Sequence, residues 1–127
     1  MKVLVIEDNP VNMKLLIEIL STEGYETLQA KNAGDGIELA KRENPDLILM
    51  DIQLPGMNGL DAMRLLKGNR GTAHIRIIAL TAFAMKGDRE KFLQEGFDGY
   101  ISKPFRYTDL MDLVRSLSRD RESTMGG

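Results

Sequence analysis

The sequence has no cysteine among its 127 residues, which excludes disulfide bonds, thiolate metal sites and a cysteine nucleophile. It also lacks an excess of one charge, since 17 lysine and arginine residues stand against 19 aspartate and glutamate residues. Without a basic stripe, nucleic acid is not an expected partner. The apolar runs are too short to cross a membrane, and no secretory leader precedes the first of them. We therefore expect a cytoplasmic protein without membrane insertion.

The composition that is present suits one folded domain. Hydrophobic residues make up 43% and charged residues 28% of the chain, which is typical of a globular protein rather than a disordered one. Short buried runs alternate five times with amphipathic helices. This alternation predicts a flavodoxin-like α/β fold, (βα)5, with a parallel five-stranded sheet in the order 2-1-3-4-5 and helices on both faces. We assign the domain to residues 1–119 and expect a short disordered tail over 120–127.

The predicted strands cover residues 2–6, 25–30, 46–50, 75–80 and 99–102. The first helix is predicted to start at Asn9-Pro10, because asparagine is a good N-cap and proline suits the first helical turn. Its core stripe is predicted to consist of Leu15, Leu16, Ile19 and Leu20. This leaves Met13 and Ile17 towards the outside, where exposed apolar side chains predict a docking surface for a partner helix.

Polar side chains able to act on a phosphoryl group follow four of the predicted strands. Glu7 and Asp8 follow the first strand, Asp51 the third, Thr81 the fourth and Lys103 the fifth. Parallel strands bring their carboxyl ends to one crevice, so these side chains should meet. A carboxylate directly after a buried strand is costly unless a cation offsets it, and Mg²⁺ prefers such oxygen ligands. The pattern predicts a magnesium site beside a nucleophile.

Two other classes of protein with this fold fit less well. A haloacid-dehalogenase-type phosphatase needs a second aspartate two residues after its nucleophile, whereas this chain has Gln53, which cannot act as an acid. A flavodoxin-type FMN binder needs a phosphate loop rich in serine, threonine or glycine after the first strand. The segment 7–10 carries negative charge instead. His74, the only histidine, has no serine or cysteine motif near it, so the chain offers no credible phosphohistidine of its own.

The set Glu7-Asp8, Met50-Asp51, Thr81-Ala82 and Lys103-Pro104 resembles the receiver domain of bacterial two-component response regulators. The motifs occur in the family's order and spacing, and the resemblance covers about residues 2–119. The segments 47–55 and 81–88 are similar to stand-alone, single-domain receivers of the DivK type. A pure interaction module, with the fold but without phosphorylation, is the remaining alternative. Such degenerate receivers usually lose an acid, the threonine or the lysine, and none is lost here.

The resemblance implies a role for each acidic residue of the site. Asp51 would accept a phosphoryl group from a kinase phosphohistidine. Asp8, Asp51 and the backbone carbonyl of Gln53 would hold Mg²⁺, and Glu7 would act directly or through water. Mn²⁺ would be able to substitute for Mg²⁺, and no organic cofactor is implied. The protein would assist its own phosphorylation and dephosphorylation without being a metabolic enzyme.

The resemblance also implies how the signal is passed on. Thr81 and Lys103 would bind the phosphoryl oxygens, Thr81 would move towards the site, Tyr100 would turn inward, and the Lys103-Pro104 peptide bond would be cis. Gln53 and Phe83, each two residues after a site residue, would make dephosphorylation slow. The expected partners are a sensor histidine kinase or phosphotransferase and a downstream protein target, contacted through the fourth helix, fifth strand and fifth helix. The expected state is a monomer or weak dimer.

Overall fold

The computed structural model describes residues 1–82 and 84–126, with side chains as far as Leu117. The strands are β1 (Lys2–Ile6), β2 (Glu26–Ala30), β3 (Leu47–Asp51), β4 (Arg76–Thr81) and β5 (Gly99–Ser102). The helices are α1 (Pro10–Thr22), α2 (Ala33–Glu43), α3 (Gly59–Lys67), α4 (Asp88–Glu95) and α5 (Tyr107–Gly126). All strand pairs are parallel, in the order β2-β1-β3-β4-β5. The predicted fold is confirmed.

The sheet is buried on both faces because successive side chains of each strand point in opposite directions. In β3, Leu47 and Leu49 pack with α1 and α5, whereas Ile48 and Met50 pack with α2 and α3. This two-sided burial explains why the strand sequences are almost continuously apolar rather than alternating. Asp51, the last residue of β3, is the one polar residue in that strand.

The start of α1 follows the prediction from Asn9-Pro10. The Asn9 side chain oxygen accepts hydrogen bonds from the backbone N–H groups of Val11 at 2.9 Å and Asn12 at 3.1 Å. Proline at the first helical position needs no such partner, because it has no N–H. The cap fixes where α1 begins, directly after Glu7 and Asp8.

The buried face of α1 differs from the predicted one. Met13 is only 7% exposed and packs in the core with Leu16 and Leu20, whereas Leu15 is 47% exposed. The prediction that Met13 lies towards the outside was therefore wrong. Met13, Leu16 and Leu20 follow the i, i+3, i+7 spacing of one helical face. Packing against the sheet, in a cluster that also holds residues of α5, selects that face from a helix with apolar residues all round.

The last helix is longer than the sequence indicates. The backbone of α5 remains helical to Gly126, through most of the segment 120–127 that was expected to be a disordered tail. Gly127, the side chains of residues 118–127 and Phe83 lie outside the described residues, so the domain boundary at 119 and the role given to Phe83 stay predictions. Across the described residues, no helix is both long enough and apolar enough to span a membrane.

Candidate functional site

The register of the sheet brings the predicted acidic residues together at the carboxyl ends of the strands. Ile6 pairs with Met50, so Glu7 and Asp51 leave neighbouring strands at the same level. One carboxylate oxygen from each of Glu7, Asp8 and Asp51 lies within 4.8 Å of the others. Glu7 and Asp51 are buried, whereas Asp8 is exposed. The predicted acidic cluster is present.

Lys103 is the cation of this cluster. Its Nζ donates to Glu7 Oε1 at 2.7 Å and to Asp51 Oδ2 at 3.0 Å. The backbone N–H of Lys103 donates to the Thr81 carbonyl at 2.7 Å, and the Lys103-Pro104 peptide bond is cis, as the family resemblance implied. Burial alone would lower the pKa of Lys103, but the hydrogen bonds to Glu7 and Asp51 outweigh it and raise that pKa. The side chain is therefore a firmly charged ammonium.

Glu7 is the most perturbed acid of the site. It is 1% exposed, and its Oε2 is buried without a hydrogen-bond partner among the described residues. Burial, followed by the neighbouring Asp51 carboxyl, raises the pKa of Glu7 from 4.5 to about 7, with Lys103 opposing the rise. Near neutral pH, Glu7 is thus a carboxyl group on the point of ionising beside the Lys103 ammonium.

Gln53 makes contacts that its sequence position did not indicate. Its backbone N–H donates to Asp51 Oδ1 at 2.9 Å. Its side chain Nε2 donates to Thr81 Oγ1 at 2.9 Å, and its Oε1 accepts from the Ala82 N–H at 3.3 Å. One residue therefore contacts both the end of β3 and the end of β4. The sequence showed a long amide at this position but gave no sign of its direction.

Gly59, at the start of α3, is a residue near the acceptor that the sequence analysis did not single out. A Cβ atom placed on it would lie 2.5 Å from the carbonyl oxygen of Asp51 and 2.9 Å from the Cα of Ile52, distances at which the backbone would have to shift. The Gly59 N–H also donates to the Ile52 carbonyl at 3.0 Å. The Asn58-Gly59 pair, a helix cap followed by the smallest residue, was the available signal.

Tyr100 lies on β5, at the edge of the sheet. Its ring stacks on Phe92 of α4 with 5.7 Å between centroids and 18° between planes. Its hydroxyl group is buried without a hydrogen-bond partner among the described residues, and this burial raises the pKa of Tyr100. The side chain already lies against α4 rather than extending into solvent.

A cleft of about 340 Å³ opens beside the acidic cluster, between α1 and the end of β2. Met13 and Ile17 line it together with Glu7 and Asp8. Both predicted docking residues thus border the site, although Met13 contributes to the wall of a cleft and not to a protruding surface. The apolar side chains that do protrude from α1 are Val11, 75% exposed, and Leu15.

Comparison with known proteins places this site in a family. The sequence matches the family model of the response regulator receiver domain over residues 3–115. The chain is a response regulator receiver domain. As such it is a signalling protein of two-component systems.

Its relatives include a polar-differentiation response regulator. The receiver is 44% identical to the polar-differentiation response regulator DivK of Brucella anthropi, over 93% of this chain and 96% of that protein. Among solved structures it resembles the receiver domain of a sensor histidine kinase from Pseudomonas aeruginosa, which coordinates a magnesium ion in its active-site cleft. That match has a TM-score of 0.81 and 37% identity, over 93% of this chain and 94% of the other. A receiver from Syntrophus aciditrophicus matches with a TM-score of 0.83 and 32% identity, over 91% and 88%.

Proposed function

We propose that this receiver is a DivK-like regulator that takes a phosphoryl group from a histidine kinase or phosphotransferase onto Asp51. The observation that carries the proposal is the meeting of the Glu7, Asp8 and Asp51 carboxylates within 4.8 Å, with the Lys103 ammonium on two of them. Asp51 is the acceptor because it alone ends the central, fully buried strand β3. The similarity to DivK over almost its whole length supports the same kind of signalling output.

The acidic cluster fits a hard divalent cation. The buried Glu7 Oε2 has no partner among the described residues, and an uncompensated buried carboxylate oxygen is costly. Asp8, Asp51 and the backbone carbonyl of Gln53 would hold Mg²⁺, with Glu7 acting directly or through water; Mn²⁺, which has the same preference for oxygen ligands, should substitute. The ion would neutralise charge on the transferred group. The magnesium ion in the Pseudomonas receiver supports this assignment.

The transfer itself needs few groups. An Asp51 oxygen forms the new P–O bond while the P–N bond of the donor phosphohistidine breaks, and the electron pair of that bond stays on the imidazole nitrogen. Lys103 would exchange its contact with Asp51 Oδ2 for a contact with a phosphoryl oxygen. The Thr81 hydroxyl group would donate a hydrogen bond to another phosphoryl oxygen. In dephosphorylation a water oxygen attacks the phosphorus, the Asp51 O–P bond breaks and inorganic phosphate leaves, so the chain would assist its own dephosphorylation.

The signal would leave the site through Thr81 and Tyr100. Phosphorylation adds negative charge at Asp51 and should shift an existing equilibrium towards an arrangement in which Thr81 has moved to the phosphoryl group. Tyr100 is placed to respond, because it lies on β5 and stacks on Phe92 of α4. The face formed by α4, β5 and α5 would then contact a downstream protein. Direct contact of this kind needs no organic cofactor and no nucleic acid.

The kinase would dock beside α1. The cleft lined by Met13 and Ile17 opens next to the acids, and Val11 and Leu15 present exposed apolar side chains on the same helix. Isolated exposed apolar residues are common, but these belong to the helix that starts directly after Glu7 and Asp8. A helix bearing a phosphohistidine would reach Asp51 from this side.

The test of the proposal is phosphorylation by a small donor. Incubation with acetyl phosphate and Mg²⁺ should add one phosphoryl group, observed by intact mass, and proteolytic mapping should place it on Asp51. Asp51→Asn removes the acceptor and should abolish labelling. Asp46→Asn, directly before the first residue of β3, should label like the parent. Labelling of the Asp51→Asn protein to the same extent as the parent would refute the mechanism.

A further inference from the structure

The Gln53 side chain extends the connection between two segments beyond their last backbone hydrogen bond, from Ile52 to Leu80. Gln53 belongs to the loop between β3 and α3, and its amide contacts the Thr81 hydroxyl at 2.9 Å and the Ala82 N–H at 3.3 Å, both at the end of β4. Gln53 is itself exposed, so the bridge lies at the surface of the site. The contacts use both ends of the amide, since Nε2 donates and Oε1 accepts.

The backbone beneath this bridge is already fixed. The Ile52 N–H donates to the Leu80 carbonyl at 2.8 Å, and the Lys103 N–H donates to the Thr81 carbonyl at 2.7 Å. These bonds hold the end of β4 between its neighbours without help from Gln53. The amide of Gln53 therefore contacts two groups that these backbone hydrogen bonds do not involve, the Thr81 hydroxyl and the Ala82 N–H.

Those two groups are also donors beside the acceptor. Gln53 places its own backbone N–H on Asp51 Oδ1 at 2.9 Å, so its side chain crosses directly from the acceptor to β4. A phosphoryl group on Asp51 would bring charged oxygens to this place, and such oxygens accept from the Ala82 N–H more strongly than the neutral amide oxygen of Gln53 does. The Thr81 oxygen accepts from Gln53 Nε2, so there the amide fixes the position of the hydroxyl group rather than taking its proton. The Gln53 Oε1 occupies the Ala82 N–H in the resting protein, and Nε2 fixes the Thr81 oxygen.

We infer that the Gln53 side chain is a latch, a positioning residue that holds Thr81 and Ala82 in the resting arrangement and competes with the phosphoryl group for the Ala82 N–H. The inference rests on the proposed function. Forming the active arrangement breaks the latch, so the latch lowers the population of that arrangement before phosphorylation. Removing a pair of exposed neutral hydrogen bonds should shift this equilibrium by roughly threefold to tenfold.

The test replaces the amide with an apolar side chain of similar length. Gln53→Met should bind the phosphoryl mimic beryllofluoride about threefold to tenfold more tightly than the parent at saturating Mg²⁺. Its affinity for Mg²⁺ alone should be unchanged, because the proposed metal contact is the backbone carbonyl. Gln53→Asn, whose amide is one methylene too short to reach, should behave like Gln53→Met. Gln94→Met makes the same change at an exposed position of α4 and serves as the matched control.

A second measurement needs no phosphoryl group. Hydrogen exchange of the Ala82 amide, followed by NMR in the resting protein, should be faster in Gln53→Met and Gln53→Asn than in the parent and the Gln94→Met control. Unchanged Ala82 exchange, or beryllofluoride affinity that is unchanged or weaker in the Gln53 variants, would overturn the latch. Failure of every protein, the control included, to bind beryllofluoride would instead refute the proposed function and, with it, the competition for the Ala82 N–H.

Discussion

Replacing Glu7 by glutamine should make the stability of the receiver less dependent on pH. Glutamine keeps the size of the side chain and cannot ionise. Glu7 is 1% exposed, and burial raises its pKa from 4.5 to about 7. At about 1.4 kcal/mol for each unit of pKa, ionising Glu7 in the folded protein costs up to about 3 kcal/mol.

The sign of the effect follows from which state holds the proton. Below pH 4.5 Glu7 is protonated in both the folded and the unfolded chain, whereas between pH 4.5 and about 7 the folded chain keeps the proton that the unfolded chain has lost. The free energy of unfolding of the parent therefore falls as pH rises through this window, and the loss is complete above pH 7. Glu7→Gln does not suffer this loss.

Urea unfolding at pH 4.5 and pH 8.5, without divalent cations, measures the effect. The stability of Glu7→Gln relative to the parent should rise by up to about 3 kcal/mol between the two pH values, or roughly 10 °C in Tm. Glu38→Gln, an exposed carboxylate on α2, is the control and should show no such rise. A relative stability of Glu7→Gln that does not change with pH would refute the assignment of this titration to Glu7. Added Mg²⁺ at pH 8.5 should stabilise the parent more than Glu7→Gln.

Three further changes test the metal, the docking surface and the lifetime. Asp8→Asn should weaken Mg²⁺ binding roughly tenfold or more in a calorimetric titration. It should also raise the Tm of the metal-free protein, because repulsion between the acids is relieved. An unchanged Mg²⁺ affinity would show that Asp8 does not belong to the site. Val11→Asp with Leu15→Asp should slow transfer from the kinase and spare phosphorylation by acetyl phosphate, and equal loss with both donors would indicate damage to the fold. The double variant Gln53→Asn, Phe83→Glu should shorten the lifetime of the phosphoryl group about tenfold or more, measured by intact mass over time. A tenfold change corresponds to about 1.4 kcal/mol in the barrier to hydrolysis. An unchanged lifetime would show that these side chains do not control the attacking water.

The sheet and most of the site could be predicted because a strong local pattern encodes them. A strand buried on both faces must be apolar along its length, so Asp51 after β3 and Thr81 at the end of β4 stand out. Parallel pairing then requires their side chains to meet, whatever the details of packing. The roles of Glu7 and Lys103 in the sequence analysis depended more on the family resemblance than on any pattern.

Features that depend on packing between distant segments could not be predicted. Met13 and Leu15 are both apolar residues of α1, and the way this helix packs against the sheet decides that Met13 is buried and Leu15 exposed. The raised pKa of Glu7 comes from the depth of a side chain that the sequence shows merely as an acid after a strand. The reach of the Gln53 amide to β4 depends on the path of a loop.

The contact between Gly59 and the backbone of Asp51 limits how receivers can be recombined. Because a Cβ atom at Gly59 would lie 2.5 Å from the Asp51 carbonyl oxygen, the first residue of α3 is tied to the last residue of β3. A chimaera that takes α3 from another protein must bring a glycine at this place, even when the two helices have the same outer surface. Specificity can therefore be exchanged more freely at α1, whose exposed residues do not press on the acceptor, than at the helix that directly follows it.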